Sequence, residues 1–96
     1  MTIQKTINGN EAVLSLEGWL DTVESPKLQA ELDNLESNID SLVLDLAGLQ
    51  YTSSSGIRQI VSAYKKMKGA LVIRNTSEGV MGVFKATGLD KKISFE

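Results

Sequence analysis

The chain has 96 residues, 42% of them hydrophobic, and its ten basic and twelve acidic side chains leave a net charge of −2. That length predicts one domain spanning residues 1–96, with a single core that buries about 60–65% of the unfolded surface. The absence of Cys and His excludes disulfides, zinc thiolate and imidazole metal sites, thiol catalysis and the Ser-His-Asp triad, and the slight acidic excess argues against a nucleic-acid backbone as partner.

Ile3, Lys5 and Ile7 alternate with polar residues, which predicts a half-buried strand. Asn8-Gly9-Asn10 follows as a hairpin signal, because Asn and Gly tolerate positive φ. The return strand is Ala12–Leu16, with Leu14 and Leu16 on one face and Gly18 as its end. Ser25-Pro26 predicts an N-cap followed by proline at the first helical position. Leu28, Leu32, Leu35 and Ile39 then recur at spacings of four, three and four as one apolar stripe. Ser37-Asn38 and Asp40-Ser41 close this helix. Leu42–Leu46 is nearly continuous apolar sequence, as expected of a central strand covered on both faces or nearly so.

A loop, residues 47–51, leads to Thr52-Ser53-Ser54-Ser55-Gly56. From there Ile57, Ile60, Val61, Tyr64 and Met67 recur at helical spacing. Lys65, Lys66 and Lys68 suit the negative end of the helix dipole, and Gly69 suits the C′ position. Leu71-Val72-Ile73 predicts a short buried strand. Ser77 then caps a third helix carrying Val80, Val83 and Phe84, which Gly88 terminates with Leu89 in contact. Ile93 and Phe95 suggest a last strand. The order β-β-α-β-α-β-α, with a final β, calls for right-handed crossovers and parallel central strands. The expected fold class is therefore α/β, a mixed sheet with helices packed mainly on one face. The expected core includes Leu14, Leu16, Leu28, Leu32, Leu35, Leu44, Leu46, Ile60, Val61, Val72 and Phe84.

The residues that carry chemistry are few. One hydroxyl of the serine run caps the helix that follows, since Ser is among the best N-cap residues. A helix N-terminus also stabilises negative charge, so the same run suits an anion or a phosphorylation site, and one serine can cap while another is modified. Arg58 falls in the first helical turn, where a cation gains nothing from the dipole. It is either a solvated side chain or a contact for a phosphate or a partner carboxylate. Asp21, in Gly18-Trp19-Leu20-Asp21, reads as a turn former or cap. Trp19, the only tryptophan, is equally suited to packing on the sheet edge and to pointing outward as a partner anchor. No phosphate-binding glycine loop follows any predicted strand, and no set of side chains makes a catalytic constellation. The expectation is a protein that is not an enzyme, has no cofactor or metal site, and works by binding. No apolar run exceeds four residues and the N-terminus has no signal-like stretch, which gives a cytoplasmic expectation without membrane insertion.

Taken together, these segments resemble the STAS domain family, the anti-sigma-factor antagonists of bacteria. Gly18-Trp19-Leu20-Asp21 is similar to the family's Gly-x-Leu-Asp turn, with Trp19 where a small or charged residue is usual. Leu44-Asp45-Leu46 resembles the strand before its switch loop. Tyr51-Thr52-Ser53-Ser54-Ser55-Gly56-Ile57 resembles the switch itself, and Ala86-Thr87-Gly88-Leu89 the segment that closes the third helix. The resemblance covers essentially the whole chain. It implies a STAS fold and a phosphorylation-controlled interaction that regulates transcription. Ser53 stands where Asp is usual, Ser54 takes the place of the phosphoacceptor, and Ser55 fills the Ser-or-Ala slot before Gly56. The implied partner is an anti-sigma-factor serine/threonine kinase, which brings its own ATP and is sequestered by the unphosphorylated form. A PP2C-type phosphatase would reverse the modification. The partner surface would comprise Asp21, Ser53, Ser55, Gly56 and Arg58 around Ser54, with Trp19 beside it. A second reading is a non-switching STAS module of a transporter or sensor complex.

Overall fold

A computed structural model describes residues 1–96. β1 (Thr2–Asn8) and β2 (Glu11–Leu20) form an antiparallel hairpin in which Asn8 faces Glu11. Only Gly9 and Asn10 lie between them, and Gly9 takes φ 65°, a conformation that glycine adopts without steric cost. α1 (Ser25–Asp33) leads to β3 (Ser41–Thr52), α2 (Ser54–Lys66) to β4 (Leu71–Arg74), and α3 (Glu78–Ala86) with a 3₁₀ turn at Leu89–Lys91 to β5 (Ser94–Phe95). The sheet order is β1-β2-β3-β4-β5, and β2 to β5 are all parallel. Crossovers of one hand, each stepping the sheet in the same direction, deliver their helices to the same face. The expected mixed sheet with a one-sided helical layer is the fold observed.

The register decides which side chains meet that layer. Leu14 lies beside Leu44, and Leu44 beside Ile73. From the helices Leu28 and Leu32, Ile57, Ile60 and Ala63, and Val80 and Phe84 come down onto this row to form one core of 19 buried residues. Phe84 meets Phe95 of β5 edge-to-face at 5.0 Å. On the opposite face the strands place Val13, Val43 and Val72 side by side. No helix covers that row, so Val72 is half-buried and Val43 retains 8% of its surface.

Several boundaries differ from the sequence expectation. α1 ends at Asp33, so Leu35 and Ile39 lie beyond it; both are half-buried side chains packed against the core from the connecting segment. The N-cap of α1 is Glu24, not Ser25. The Ser25 hydroxyl instead donates to the Asp21 carbonyl at 2.7 Å. β2 does not stop at Gly18, and residues 47–51 are strand, not loop, because the two chain segments pair all the way to Leu20 and Thr52. Val61 and Val72 are half-buried, not interior. Helix α2 ends in a Schellman arrangement: the Gly69 N–H donates to the Tyr64 carbonyl and the Lys68 N–H to the Lys65 carbonyl. The C′ residue is therefore Lys68, at φ 53°, with Gly69 following at φ 89°. The Ser77 cap on α3 and the positive φ of Gly88 are as expected, with Ser77 Oγ accepting from the Val80 N–H and Gly88 at φ 78°.

Candidate functional site

The extended ends of β2 and β3 carry the two segments singled out by sequence to the same end of the sheet. Gly18 sits at φ 100°, between two register shifts in the β2–β3 ladder. Such irregularities bend a strand and re-aim its side chains. Past them Trp19 pairs with Tyr51 and Leu20 with Thr52. The Leu20 carbonyl then accepts a hydrogen bond from the Ser53 N–H at 2.9 Å, tying the first residue after β3 to the end of β2.

Each residue of the serine run has a distinct job. Ser53 is extended, at φ −90° and ψ 175°, and is the N-cap of α2. Its Oγ accepts from the Gly56 N–H at 3.2 Å and its carbonyl from the Ile57 N–H at 3.0 Å. The neutral hydroxyl thus performs the capping that an aspartate would also perform. Thr52 is buried, its hydroxyl donating to the Ser53 carbonyl at 3.3 Å. Ser55 is half-buried and shares a hydrogen bond with the Thr22 hydroxyl at 3.4 Å, while Arg58 Nη2 donates to Ser55 Oγ, also at 3.4 Å. Ser54 is exposed, and its hydroxyl makes no hydrogen bond to any protein group. Gly56 is buried because the chain passes close by: a Cβ there would lie 2.7 Å from the Leu20 carbonyl oxygen.

Asp21 shapes the neighbouring turn. Its carboxylate accepts from the Glu24 N–H at 2.9 Å, and its carbonyl accepts from both the N–H and the hydroxyl of Ser25. Asp21 is therefore a turn former, and it holds Thr22 against Ser55. Arg58 is exposed and has no carboxylate within ion-pair distance, so its charge is free to meet an incoming anion.

Trp19 points outward. It is 55% exposed, and its ring lies 5.3 Å from that of Tyr51, itself 45% exposed. The indole N–H donates to the Gln50 side-chain oxygen at 3.2 Å. Leu20 is buried beneath the helices, and successive side chains of a strand alternate, so Trp19 stands on the opposite face of the sheet. The structure thus gathers Asp21, Ser53, Ser54, Ser55, Gly56 and Arg58 on the helical side of one end, with Trp19 around the corner. The sequence does not point to Thr22 or Gln50, nor to the pairing of Tyr51 with Trp19. Reading residues 47–51 as strand would have exposed the signal, since Tyr51 then falls on the ladder beside Trp19.

The STAS domain family model matches residues 2–96. The chain belongs to the STAS domain family. It is 29% identical over 85 residues to the anti-sigma-B factor antagonist of Bacillus subtilis (strain 168), which covers 85% of this chain and 78% of that protein. Its fold is similar to that of an anti-sigma factor antagonist from Mycobacterium paratuberculosis, with a TM-score of 0.87 and 22% identity over 98% of this chain and 83% of the other. It is also similar to the Bacillus cell fate determinant SpoIIAA in its phosphorylated form, with a TM-score of 0.76 and 17% identity over 99% and 91% of the two chains. No helix of this STAS domain is long and apolar enough to cross a membrane.

Proposed function

We propose that this STAS domain is a cytoplasmic binding switch of bacterial transcription, an anti-sigma-factor antagonist that sequesters an anti-sigma-factor serine kinase while Ser54 is unmodified. The observation that carries this reading is the division of labour among the three serines. Ser53 is committed to capping and Ser55 to the Thr22–Arg58 contacts, which leaves Ser54 as the one hydroxyl of the three that is exposed and free of a protein partner. In the kinase complex, Ser54 Oγ attacks the γ-phosphorus of the kinase's ATP. The bond to the ADP oxygen breaks, and the hydroxyl proton passes to a base of the kinase. The STAS domain supplies only the acceptor and the surface around it: Asp21, Ser53, Ser55, Gly56 and Arg58, with Trp19 as an aromatic anchor. It performs no catalysis of its own. A PP2C-type phosphatase would hydrolyse the phosphoserine and restore the binding form.

Similarity to the antagonist of Bacillus subtilis and to a fold known in a phosphorylated state supports this reading. The test is mass spectrometry after incubation with an anti-sigma-factor kinase and ATP. The expected result is one phosphate, on Ser54. Phosphate confined to Ser53 or Ser55, or none with a kinase active on its own substrate, overturns it.

A further inference from the structure

Arg58 has no carboxylate within ion-pair distance. It lies four residues after Ser54, so the two side chains occupy the same helix face with Cβ atoms about 5–6 Å apart. Side chains on a helix lean toward its N-terminus, and this one does: the guanidinium reaches back over the first turn to Ser55 Oγ. The contact is long at 3.4 Å and uses a single N–H, so four of the five guanidinium donors remain uncommitted to any protein group. An arginine held this loosely is easily recruited by a stronger acceptor nearby.

We infer that Arg58 is a bistable element of the switch: it meets a carboxylate of the partner protein when Ser54 is unmodified, and turns onto the phosphate of its own chain once Ser54 is phosphorylated. This rests on Ser54 being the phosphoacceptor. A phosphoserine at position 54 places three acceptor oxygens and close to two negative charges within one helical turn of the guanidinium. Charge-assisted, bidentate pairing of Arg with phosphate is stronger than the hydroxyl contact it replaces. Ser53 favours the exchange. An aspartate at the cap would set a second negative charge next to the phosphate, whereas the Ser53 hydroxyl caps the helix without one. Phosphorylation then acts twice on the interface, by adding an anion and by withdrawing the cation that had held the partner.

The experiment uses the full chain with phosphoserine installed at position 54 during synthesis, so that no kinase is needed. The phosphate is titrated by its phosphorus-31 resonance in otherwise native protein and in the Arg58→Gln and Arg58→Lys variants. Pairing with Arg58 lowers the second phosphate pKa below the value of about 6 for free phosphoserine. The expected result is a titration displaced upward by about half a unit or more in Arg58→Gln, partly restored in Arg58→Lys, with all three chains melting alike before modification. Coincident titration curves overturn the inference. A second arm measures affinity for an anti-sigma-factor kinase. Arg58→Gln should weaken the unmodified form, and phosphorylation should cost the variant a smaller factor than it costs the native chain; equal factors contradict the exchange. If no such kinase binds either form, it is the proposed function that fails, while the phosphorus titration still decides the pairing.

Discussion

Gly56 of α2 lies against the Leu20 backbone at the end of β2, close enough that an added Cβ would sit 2.7 Å from the Leu20 carbonyl oxygen and collide with the Thr52 hydroxyl. The same carbonyl accepts the Ser53 N–H. One backbone group therefore locks the serine run to the Trp19–Asp21 segment, and the site is built on the sheet, not on a free loop. Gly56→Ala should destabilise the fold by about 1–3 kcal/mol through overpacking against backbone that cannot move aside. A melting curve within a degree of the native chain would show that the two segments separate easily.

The Trp19–Tyr51 pair makes the opposite prediction. Both rings are exposed, so Trp19→Ala should change stability by less than about 0.5 kcal/mol. A tryptophan anchor at an interface is commonly worth about 2 kcal/mol or more, which corresponds to roughly thirty-fold in affinity. Because Trp19 is the only tryptophan, its emission reports the same event directly. It should shift to shorter wavelength on binding an anti-sigma-factor kinase. Unchanged emission and unchanged affinity would remove Trp19 from the partner surface.

Asp45 gives the fold an acid limit. Partial burial pushes its carboxyl up, but the Ala47 N–H, the Asn75 amide and the Arg74 guanidinium together outweigh that, and the net shift is downward. A carboxyl depressed in the folded state contributes stability that is complete above its unfolded value of about 3.9 and is lost as pH falls through the lower folded value. Urea midpoints of the native chain should therefore fall more steeply below pH 4 than those of Asp45→Asn. Parallel curves for the two proteins would mean that the Arg74 and Asn75 contacts carry no net stability.

Packing separates residues that look alike in sequence. Leu44 is fully buried at the centre of the Leu14–Leu44–Ile73 row, while Val72 is only half-buried, on the face without helices. Leu44→Ala should cost about 2–5 kcal/mol. Val72→Ala should cost well under half of that, because the neighbouring solvent fills the space it leaves. Equal losses in denaturant titrations would require something to cover the open face.

These contrasts show where sequence reasoning stops. The alternation of Ile3, Lys5 and Ile7, the serine cap at Ser77 and the apolar stripe of Leu28 and Leu32 are local patterns, and local patterns gave the element order and the one-sided layer. Leu35 and Ile39 continue that stripe numerically, yet the helix ends before them. Their burial comes from tertiary packing of the connection, which periodicity cannot distinguish from a further turn of helix. The extension of β2 and β3 to Leu20 and Thr52 was hidden for a related reason. Glycine at positions 18 and 48 reads as punctuation along the chain, whereas in the sheet both are absorbed by register shifts between paired strands. The site suffered the same loss. The motif places Ser54 and its neighbours at the start of α2, as the structure has them, but the Thr22–Ser55 contact and the Trp19–Tyr51 pair exist only because two strands run on together past an irregular ladder.

Ser54 itself sets the sharpest test of the proposed switch. Its hydroxyl is exposed at the first turn of α2, where free N–H groups and the helix dipole favour an added anion. The folded domain should therefore accept a negative charge at little cost. A partner surface packed over the same position has to desolvate that charge. A penalty of roughly 3–4 kcal/mol for a charge buried at the interface weakens binding several hundred-fold. The two effects separate in the variants. Ser54→Asp should melt within about two degrees of the native chain yet bind an anti-sigma-factor kinase weakly, whereas Ser54→Ala should bind as the unmodified chain does and resist phosphorylation. Calorimetric titration alongside thermal unfolding checks both halves. Strong binding by Ser54→Asp would place Ser54 outside the interface, and a large drop in its melting temperature would mean that the charge acts on the fold and not on the association.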